Sequence, residues 1–176
     1  MEHPLHLFGY CPRCGSNRFA INDVKSKRCE DCGFVLYFNA IAATVALIMN
    51  KQGELLVARR SKEPAKGTLD LPGGFADSME TAEEGVAREV AEETGLKVTT
   101  TRYLFSLPNI YVYSGFEEHT LDLFFLCEVE DDTLPTANDD VEELMWIKLQ
   151  DIDDSLFGLQ SIRKGVKKFI KEHAKR

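Results

Sequence analysis

No stretch of this sequence approaches the run of about 20 apolar residues that a membrane-spanning helix needs. The first residues, MEHPLHLFGYC, also lack the basic region and following apolar region of a secretory signal. Only four histidines are present, they are scattered, and no Ser-His-Asp signature of nucleophilic catalysis accompanies them. We therefore expect no membrane partner and no serine-hydrolase chemistry.

Positive charge is also in short supply, because 21 Lys and Arg stand against 29 Asp and Glu and leave a net charge of -8. Duplex-DNA binders gain much of their affinity from basic residues that neutralise phosphates, so a dedicated DNA-binding role is disfavoured. A nucleotide substrate stays compatible, because a metal ion can supply positive charge locally. The 176 residues suffice for one sizeable domain and a small appendage.

Four of the five cysteines form two CxxC pairs, Cys11 with Cys14 and Cys29 with Cys32. In a chain without a secretory signal such pairs indicate metal binding rather than disulfides, and they favour the reducing cytoplasm. Four thiolates at about 2.3 Å complete a tetrahedral zinc site. The sequence thus predicts a zinc-ribbon module over residues 1–38, with a rubredoxin-like iron site as the alternative. We favour the interpretation that these residues are a small metal-stabilised extension packed on the main domain, rather than a docking or nucleic-acid-binding module.

Residues 39–176 have the pattern of an α/β or α+β domain built on one mixed sheet. The apolar run 41–49, a turn, and residues 54–58 predict two strands of a hairpin. The segment 119–130 is apolar on both faces, which predicts a central strand with Cys127 in the core. The remaining expected elements are strands over 97–107 and 144–149 and a terminal helix over 158–175.

A helix capped by Asp77 or Ser78 is predicted next to a glycine pair, and it is acidic towards its end. Glu89, Glu92 and Glu93 stand near the helix C-terminus, where the helix dipole disfavours negative charge and where they repel one another. Helical spacing places all three on one arc beside the apolar stripe. Such a cluster of oxygen ligands suits Mg²⁺ or Mn²⁺; the alternative is a solvated acidic face.

Three glycines favour the metal-site interpretation. Gly73 and Gly74 precede the helix and let backbone approach a metal or ligand closely. Gly85 lies inside the helix, where glycine costs about 1 kcal/mol relative to alanine. A helix that accepts this cost indicates that something approaches Gly85 closely.

The stretch from Gly74 to Leu96 resembles the Nudix box, G-x5-E-x7-R-E-U-x-E-E-x-G-U with U aliphatic, at every specified position. The order of elements from about residue 40 onward is similar to that of the family, and the ribbon resembles that of the NADH-pyrophosphatase-like branch. The resemblance implies an α/β/α sandwich around a mixed sheet. It also implies metal-dependent hydrolysis of a nucleoside-diphosphate-linked substrate, either an NADH- or ADP-ribose-like dinucleotide or a nucleotide sugar.

The resemblance also implies roles for particular residues. Glu89 and Glu93 correspond to the main Mg²⁺ or Mn²⁺ ligands, Glu92 to a further or water-mediated ligand, and Gly73 to a ligand through its carbonyl. Arg88 and Glu80 correspond to an ion pair that supports the catalytic helix.

The general base varies within the family, and two candidates are open. One is Glu89, and the other is the acidic run 139–143. This run is equally typical of a solvated loop, which is the alternative interpretation. Glu142 and Glu143 of that run are weak candidates for substrate binding.

The substrate is not identified by these motifs. The branch carries a Ser-Gln-Pro-Trp-Pro-Phe-Pro-x-Ser array, whereas residues 106–115 here read SLPNIYVYSG and lack the tryptophan. Tyr111 and Tyr113, or Phe116, are expected either to stack on a base or to be half-buried loop aromatics.

Two alternatives to a small-molecule hydrolase are kept. One is an RNA-decapping enzyme in which the ribbon and the basic terminal helix contact RNA, and the other is a non-catalytic nucleotide sensor or interaction protein. A nucleotide is the favoured partner, nucleic acid is less favoured, and a homodimer is compatible with the sequence.

Overall fold

The computed structural model describes residues 2–133, 135–139 and 141–173. Asp140 of the acidic run and the end of the predicted terminal helix, residues 174 and 175, lie outside the described residues. Within the described ranges no helix is long and apolar enough to cross a membrane. The elements follow in the order β1 Phe19–Asp23, β2 Ser26–Cys29, β3 Val35–Tyr37, β4 Ile41–Ile48, β5 Glu54–Arg60, β6 Leu69–Asp70, α1 Ala82–Thr94, β7 Val98–Tyr113, β8 Phe116–Val129, β9 Val141–Lys148 and α2 Gln160–His173.

The N-terminal module is a small antiparallel sheet of β1, β2 and β3. Its buried cluster consists of Cys11, Phe19 and Cys29. Aromatic rings join the module to the main body: Phe8 and Phe38 both meet the edge of Phe116, with ring centroids 5.5 and 5.7 Å apart. The module therefore packs on the tip of the β7–β8 hairpin.

In the described ranges the main body contains two three-stranded sheets, whereas a single sheet was predicted. In one sheet β8 is central, parallel to β4 and antiparallel to β7; in the other, β5 is central between β6 and β9. The predicted hairpin of 41–49 with 54–58 is wrong, since only Met49 and Leu55 form a bridge between these segments. The turn at Gly53 does reverse the chain. Local turn chemistry specifies that reversal, whereas long-range packing decides which strands pair.

The helices cover opposite faces of these strands. On one face, Leu47 of β4 and Leu55 of β5 share a buried cluster with Phe169 of α2. On the other face, Ile48 shares a second cluster with Val90 of α1. Since neighbouring residues of a strand point to opposite faces, both faces are apolar and both need a cover. The predicted mixed α+β fold with a mixed sheet and two helices is confirmed.

Helix α1 begins later than predicted. Thr81, and not Asp77 or Ser78, is the N-cap, because its hydroxyl accepts a hydrogen bond from the Glu84 N–H while the Glu84 carboxylate accepts from the Thr81 N–H. This reciprocal capping box satisfies two helix-end donors at once. The helix ends, as predicted, at Gly95, which has a left-handed φ of 70°.

Strands β7 and β8 are longer than predicted and form a hairpin that turns at Ser114 and Gly115. The prediction ended the first strand before Pro108, which lacks a backbone donor. Because β7 lies at the edge of its sheet, Pro108 is tolerated there. The central position of β8 and the burial of Cys127 are confirmed.

Helix α2 packs so closely on β8 that Gly165 has no room for a side chain. A methyl group at this position would overlap the ring of Phe124, which is fully buried. We expect Gly165→Ala to destabilise the protein by about 1–3 kcal/mol, although alanine favours helix by about 1 kcal/mol. Urea denaturation measures the change. The exposed Lys167→Ala on the same helix serves as control, and a Gly165→Ala protein at least as stable as the parent would contradict the packing.

Candidate active site

The glycine loop before α1 is attached to the free edge of β4. The Ala46 N–H donates to the Pro72 carbonyl at 2.8 Å, and the Thr44 N–H donates to the Gly74 carbonyl at 2.7 Å. Through these bonds the glycine loop lies along β4 as an irregular addition to the edge of the sheet. As a result, the glycines stand directly beside the acidic face of α1.

Glu93 is held against this loop. Its side chain is buried, and the Gly73 N–H donates to its Oε2 at 3.0 Å. Gly73 has a φ of 147°, and a methyl group there would overlap the carbonyl of Thr44. Only glycine fits these two constraints, so the backbone of Gly73 sets the position of the Glu93 carboxylate.

Arg88 is the counter-charge of the acidic face. Its Nε donates to Glu80 Oε1 at 2.9 Å and its Nη2 to Glu80 Oε2 at 3.0 Å, so the predicted ion pair is present. Its Nη1 also donates to Glu89 at 2.9 Å and to Glu92 at 3.1 Å, two contacts that the motif did not imply. The hydrogen bond from Arg88 lowers the pKa of Glu80, whereas burial raises the pKa of Glu89 despite Arg88. Arg88 therefore offsets part of the repulsion among the crowded carboxylates.

Gly85 confirms the expected close approach inside α1. A methyl group there would lie 3.0 Å from Glu80 Oε2. The missing side chain makes room for the Glu80 carboxylate, which in turn fixes Arg88.

A cavity of about 340 Å³ opens between these elements. Glu89, Glu92, Glu93, Gly73 and Tyr111 of the predicted site residues line it. The carboxylates of Glu89, Glu92 and Glu93 share this cavity, but in the described part of the chain they do not all approach within 4.8 Å of one another. The structure thus brings together the acids and one of the two tyrosines.

Other predicted residues lie elsewhere. Tyr113 is exposed at the end of β7, and neither it nor Glu142 nor Glu143 is among the described residues that line the cavity. The expected loop around the tyrosines is instead the end of a strand, and Glu142 and Glu143 belong to the start of β9. From the acidic run, Asp139 lines the cavity.

Polar residues from distant parts of the chain complete the cavity and were not found from the sequence. Arg60 Nη1 donates to Asp70 Oδ2 at 2.5 Å, and Arg60 Nη2 approaches the Tyr111 hydroxyl at 3.4 Å. Burial raises the pKa of Asp70, with Arg60 acting in the opposite direction. One signal was available: Asp70 is a charged residue within the apolar stretch LDL.

A second polar group comes from β7 and β8. Asp122 is buried and accepts hydrogen bonds from the hydroxyls of Thr120, at 2.5 Å, and of Ser161. Asn109 lies beside Thr120 as its partner in the strand pair. All but Ser161 line the same cavity as the acids of α1.

The four cysteines of the N-terminal module form a cluster that could hold a metal ion. Their sulfurs all lie within 4.8 Å of one another, with 3.7 Å between Cys11 and Cys32 and 3.6 Å between Cys14 and Cys29. A tetrahedron with metal–sulfur bonds of about 2.3 Å has sulfur–sulfur edges of about 3.8 Å. The observed spacing fits such a site.

Gly74→Ala tests how closely the loop and α1 fit. A methyl group at Gly74 would lie 2.5 Å from Glu89 Oε1, and φ at this position requires no glycine. We expect the Glu89 carboxylate to move aside, so that metal-dependent activity falls by about 10-fold or more while the unfolding midpoint changes little. Gly9→Ala controls for a general effect of replacing glycine, because Gly9 is exposed, has no positive φ and has no atom within 4 Å of the added methyl group. Full activity in Gly74→Ala would contradict the assigned fit.

Comparison with known proteins places these features in a family. A family model described as "NUDIX domain" matches residues 39–171. The chain is 34% identical over 162 residues to an "ADP-ribose pyrophosphatase" from Methanocaldococcus jannaschii, covering 91% of this chain and 87% of that protein. It is 27% identical over 150 residues to a "NAD-capped RNA hydrolase NudC" from Vibrio cholerae, covering 85% of this chain and 53% of that protein. The chain thus spans about half the length of the NAD-capped RNA hydrolases that it matches.

A similar fold is found among solved structures. The crystal structure of a NUDIX hydrolase from Nitrosomonas europaea superposes with a TM-score of 0.72 at 20% identity, covering 94% of this chain and 92% of that one. At this identity the likeness shows the fold alone.

Proposed function

This chain belongs to the Nudix family, and we propose that it is a metal-dependent pyrophosphohydrolase that cleaves a nucleoside-diphosphate-linked substrate such as ADP-ribose or NADH. The observation that carries this proposal is the convergence of Glu89, Glu92, Glu93 and the Gly73 backbone on one cavity. The relative named ADP-ribose pyrophosphatase, matched over most of both chains, supports an ADP-ribose-like substrate.

In this proposal Glu89, Glu92, Glu93 and the carbonyl of Gly73 hold Mg²⁺ or Mn²⁺. The oxygen ligands fit these hard cations, which when bound polarise phosphate oxygens and a water molecule. The residues of the chain prepare the site: the Gly73 N–H orients Glu93, and Arg88 orients Glu89 and Glu92.

Hydrolysis adds water across the P–O–P bond. The water oxygen forms a new bond to one phosphorus, the bridging bond breaks, and the second phosphate leaves with the bridging oxygen. A base must accept the proton of the attacking water. Glu89 and Asp139 are the two candidates that line the cavity.

The base of the nucleotide has an aromatic surface available. The ring of Phe75 meets the ring of Tyr111 edge-on at 5.6 Å, and Arg60 supports the Tyr111 hydroxyl. We propose that this pair contacts the base, because an aromatic face stacks well on a heterocycle.

Zinc is the metal we propose for Cys11, Cys14, Cys29 and Cys32, because four thiolates in a closed tetrahedral set leave no position for substrate. Reduced thiolates suit the cytoplasm, which is the compartment we propose. We also propose the division into a zinc ribbon over residues 1–38 and a hydrolase domain over 39–176.

One observation favours a second candidate, the removal of a nucleotide cap from RNA. Relatives are named NAD-capped RNA hydrolases, and α2 exposes a row of basic side chains that could contact a phosphate backbone. The exposed residues are Arg163, Lys164, Lys167, Lys168 and Lys171. The non-catalytic alternative is disfavoured, because a pure binder needs no clustered carboxylates.

The test is a screen for Mg²⁺- or Mn²⁺-dependent hydrolysis over NADH, ADP-ribose, dinucleoside polyphosphates, nucleoside triphosphates and NAD-capped RNA. We expect cleavage of diphosphate-linked compounds that stops when the metal is chelated. Preference for capped RNA over free NADH would select the second candidate. No hydrolysis of any of these compounds with either metal would overturn the proposed function.

A further inference from the structure

Asn109 is a mostly buried residue whose side-chain amide has no protein hydrogen-bond partner in the part of the chain that the structure describes. Its residue is only 8% exposed, and none of the hydrogen bonds among the described residues involves its side chain. Its chain neighbour Ile110 is half exposed and does not line the cavity, whereas Asn109 does. The alternation along β7 therefore turns the Asn109 amide towards the cavity.

An amide that opens onto the cavity is available to a ligand that enters it. The side chain of asparagine offers one carbonyl acceptor and one NH₂ donor side by side. Among the described residues Trp146 Nε1 is the side-chain polar atom that is both fully buried and without a partner, so the Asn109 amide reaches the solvent of the cavity, where a ligand with a matching donor and acceptor replaces bound water. Asn109 thus has the properties of a recognition group.

Its polar neighbours do not compete for the amide. Asp122 accepts from Thr120 and Ser161 and is satisfied by them. Thr120, the strand partner of Asn109, directs its hydroxyl to Asp122. These bonds leave the Asn109 amide available to a ligand.

The position of Asn109 relative to the acids suits the far end of a nucleotide. The glycine loop lies along β4, one edge of the sheet, with the carboxylates of Glu93 and Glu89 against it, whereas Asn109 lies on β7, the other edge. Two strand spacings separate these edges, roughly 10 Å. A substrate whose pyrophosphate lies at the acids would extend across the sheet, and the rings of Phe75 and Tyr111 meet on this path.

We propose that Asn109 recognises the adenine base of the substrate through its 6-amino group and N7. This inference rests on the proposed function and adds the specificity of the site. Asparagine pairs in this bidentate way with adenine, accepting from the amino group and donating to N7. Hypoxanthine carries an oxygen in place of the amino group, so one bond is lost and two acceptors face each other.

Calorimetric binding of AMP and IMP in the presence of Mg²⁺ tests the proposal without any need for hydrolysis. The two ligands share N7, the ribose and the phosphate, and they differ at position 6, where an oxygen replaces the amino group, and in the proton that hypoxanthine carries on N1. We expect the parent to bind AMP about 10-fold to 100-fold more tightly than IMP. Equal affinities, or no measurable binding of AMP, would overturn the proposal without recourse to any variant.

Two substitutions assign the effect to the side chain. Asn109→Leu keeps the approximate shape and removes both hydrogen-bonding groups, so AMP and IMP should bind nearly equally; Asn109→Ser is used if the leucine variant does not fold. Ile110→Thr, on the same strand but facing away from the cavity, should keep the preference for AMP. A preference for AMP that survives in the Asn109 variant would contradict the assignment.

A nicotinamide carboxamide offers the same donor and acceptor pair, so nicotinamide mononucleotide is the third ligand. If Asn109→Leu weakens binding of this ligand and not of AMP, the adenine assignment is overturned. The outcomes of this binding experiment can be distinguished from those of the substrate screen. If the parent cleaves ADP-ribose but binds AMP and IMP equally, the proposed function stands and the role of Asn109 does not. If the parent prefers AMP over IMP but does not cleave ADP-ribose, the role of Asn109 stands and the proposed function does not.

Discussion

Glu93→Gln is expected to lose pyrophosphate hydrolysis by roughly 100-fold or more in kcat while the fold survives. The amide keeps the shape of the carboxylate, and its oxygen can still accept the Gly73 N–H that now binds Glu93 at 3.0 Å. What the substitution removes is the negative charge that a divalent metal ion requires. The loss should therefore appear in activity and metal affinity, not in the unfolding midpoint.

Steady-state hydrolysis of ADP-ribose at saturating Mg²⁺ and thermal unfolding monitored by circular dichroism measure the two effects. Glu83→Gln is the matched control, because Glu83 lies on the same helix but is exposed and does not line the cavity. If Glu93→Gln hydrolysed ADP-ribose as fast as the parent, Glu93 would not be part of the catalytic site.

Cys29→Ser is expected to unfold the N-terminal module and to leave the chemistry in place. Among the residues of the module that the structure describes, the buried cluster consists of Cys11, Phe19 and Cys29 with a few partly buried neighbours. Such a small cluster cannot replace metal binding, which is worth roughly 10–16 kcal/mol in small zinc modules. Helix α1 packs through Val86 and Val90 on a different buried cluster from that of the cysteines. We expect loss of bound zinc, rapid proteolysis within residues 2–38, and retained hydrolysis.

Elemental analysis and limited proteolysis give the first two results, and the ADP-ribose assay gives the third. Cys127→Ala is the control, because Cys127 is buried in β8 away from the cysteine cluster and should not affect zinc. Abolished hydrolysis in a variant whose main body remains folded would show that the module takes part in catalysis. The route for such an effect would be Phe8 and Phe38, which pack on the hairpin tip at Phe116.

The parts of the site that could be predicted from the sequence are those in which residues lie close together because they share one helix. Glu89, Glu92 and Glu93 were expected on one arc of α1 and do line one cavity, whereas the ion pair of Glu80 with Arg88 was implied by the family resemblance. The close approach at Gly85 could also be expected, since glycine inside a helix has a local cost that needs an explanation.

The parts missed are those that depend on which strands pair. Arg60 and Asp70 meet because β5 pairs with β6, and Asn109 reaches the cavity because β7 lies beside β8. Neither pairing is encoded in local periodicity. The same limit explains the wrong hairpin, where a correct turn at Gly53 was taken to imply that the flanking strands pair with each other.

The most direct test of the central claim is a crystal structure with Mn²⁺ and a slowly hydrolysed ADP-ribose analogue, in which anomalous scattering locates the metal. We expect an anomalous peak at about 2.1 Å from carboxylate oxygens of Glu89 and Glu93, with the pyrophosphate bound to the same ion. Manganese and analogue bound elsewhere, with no peak beside these two glutamates, would contradict it.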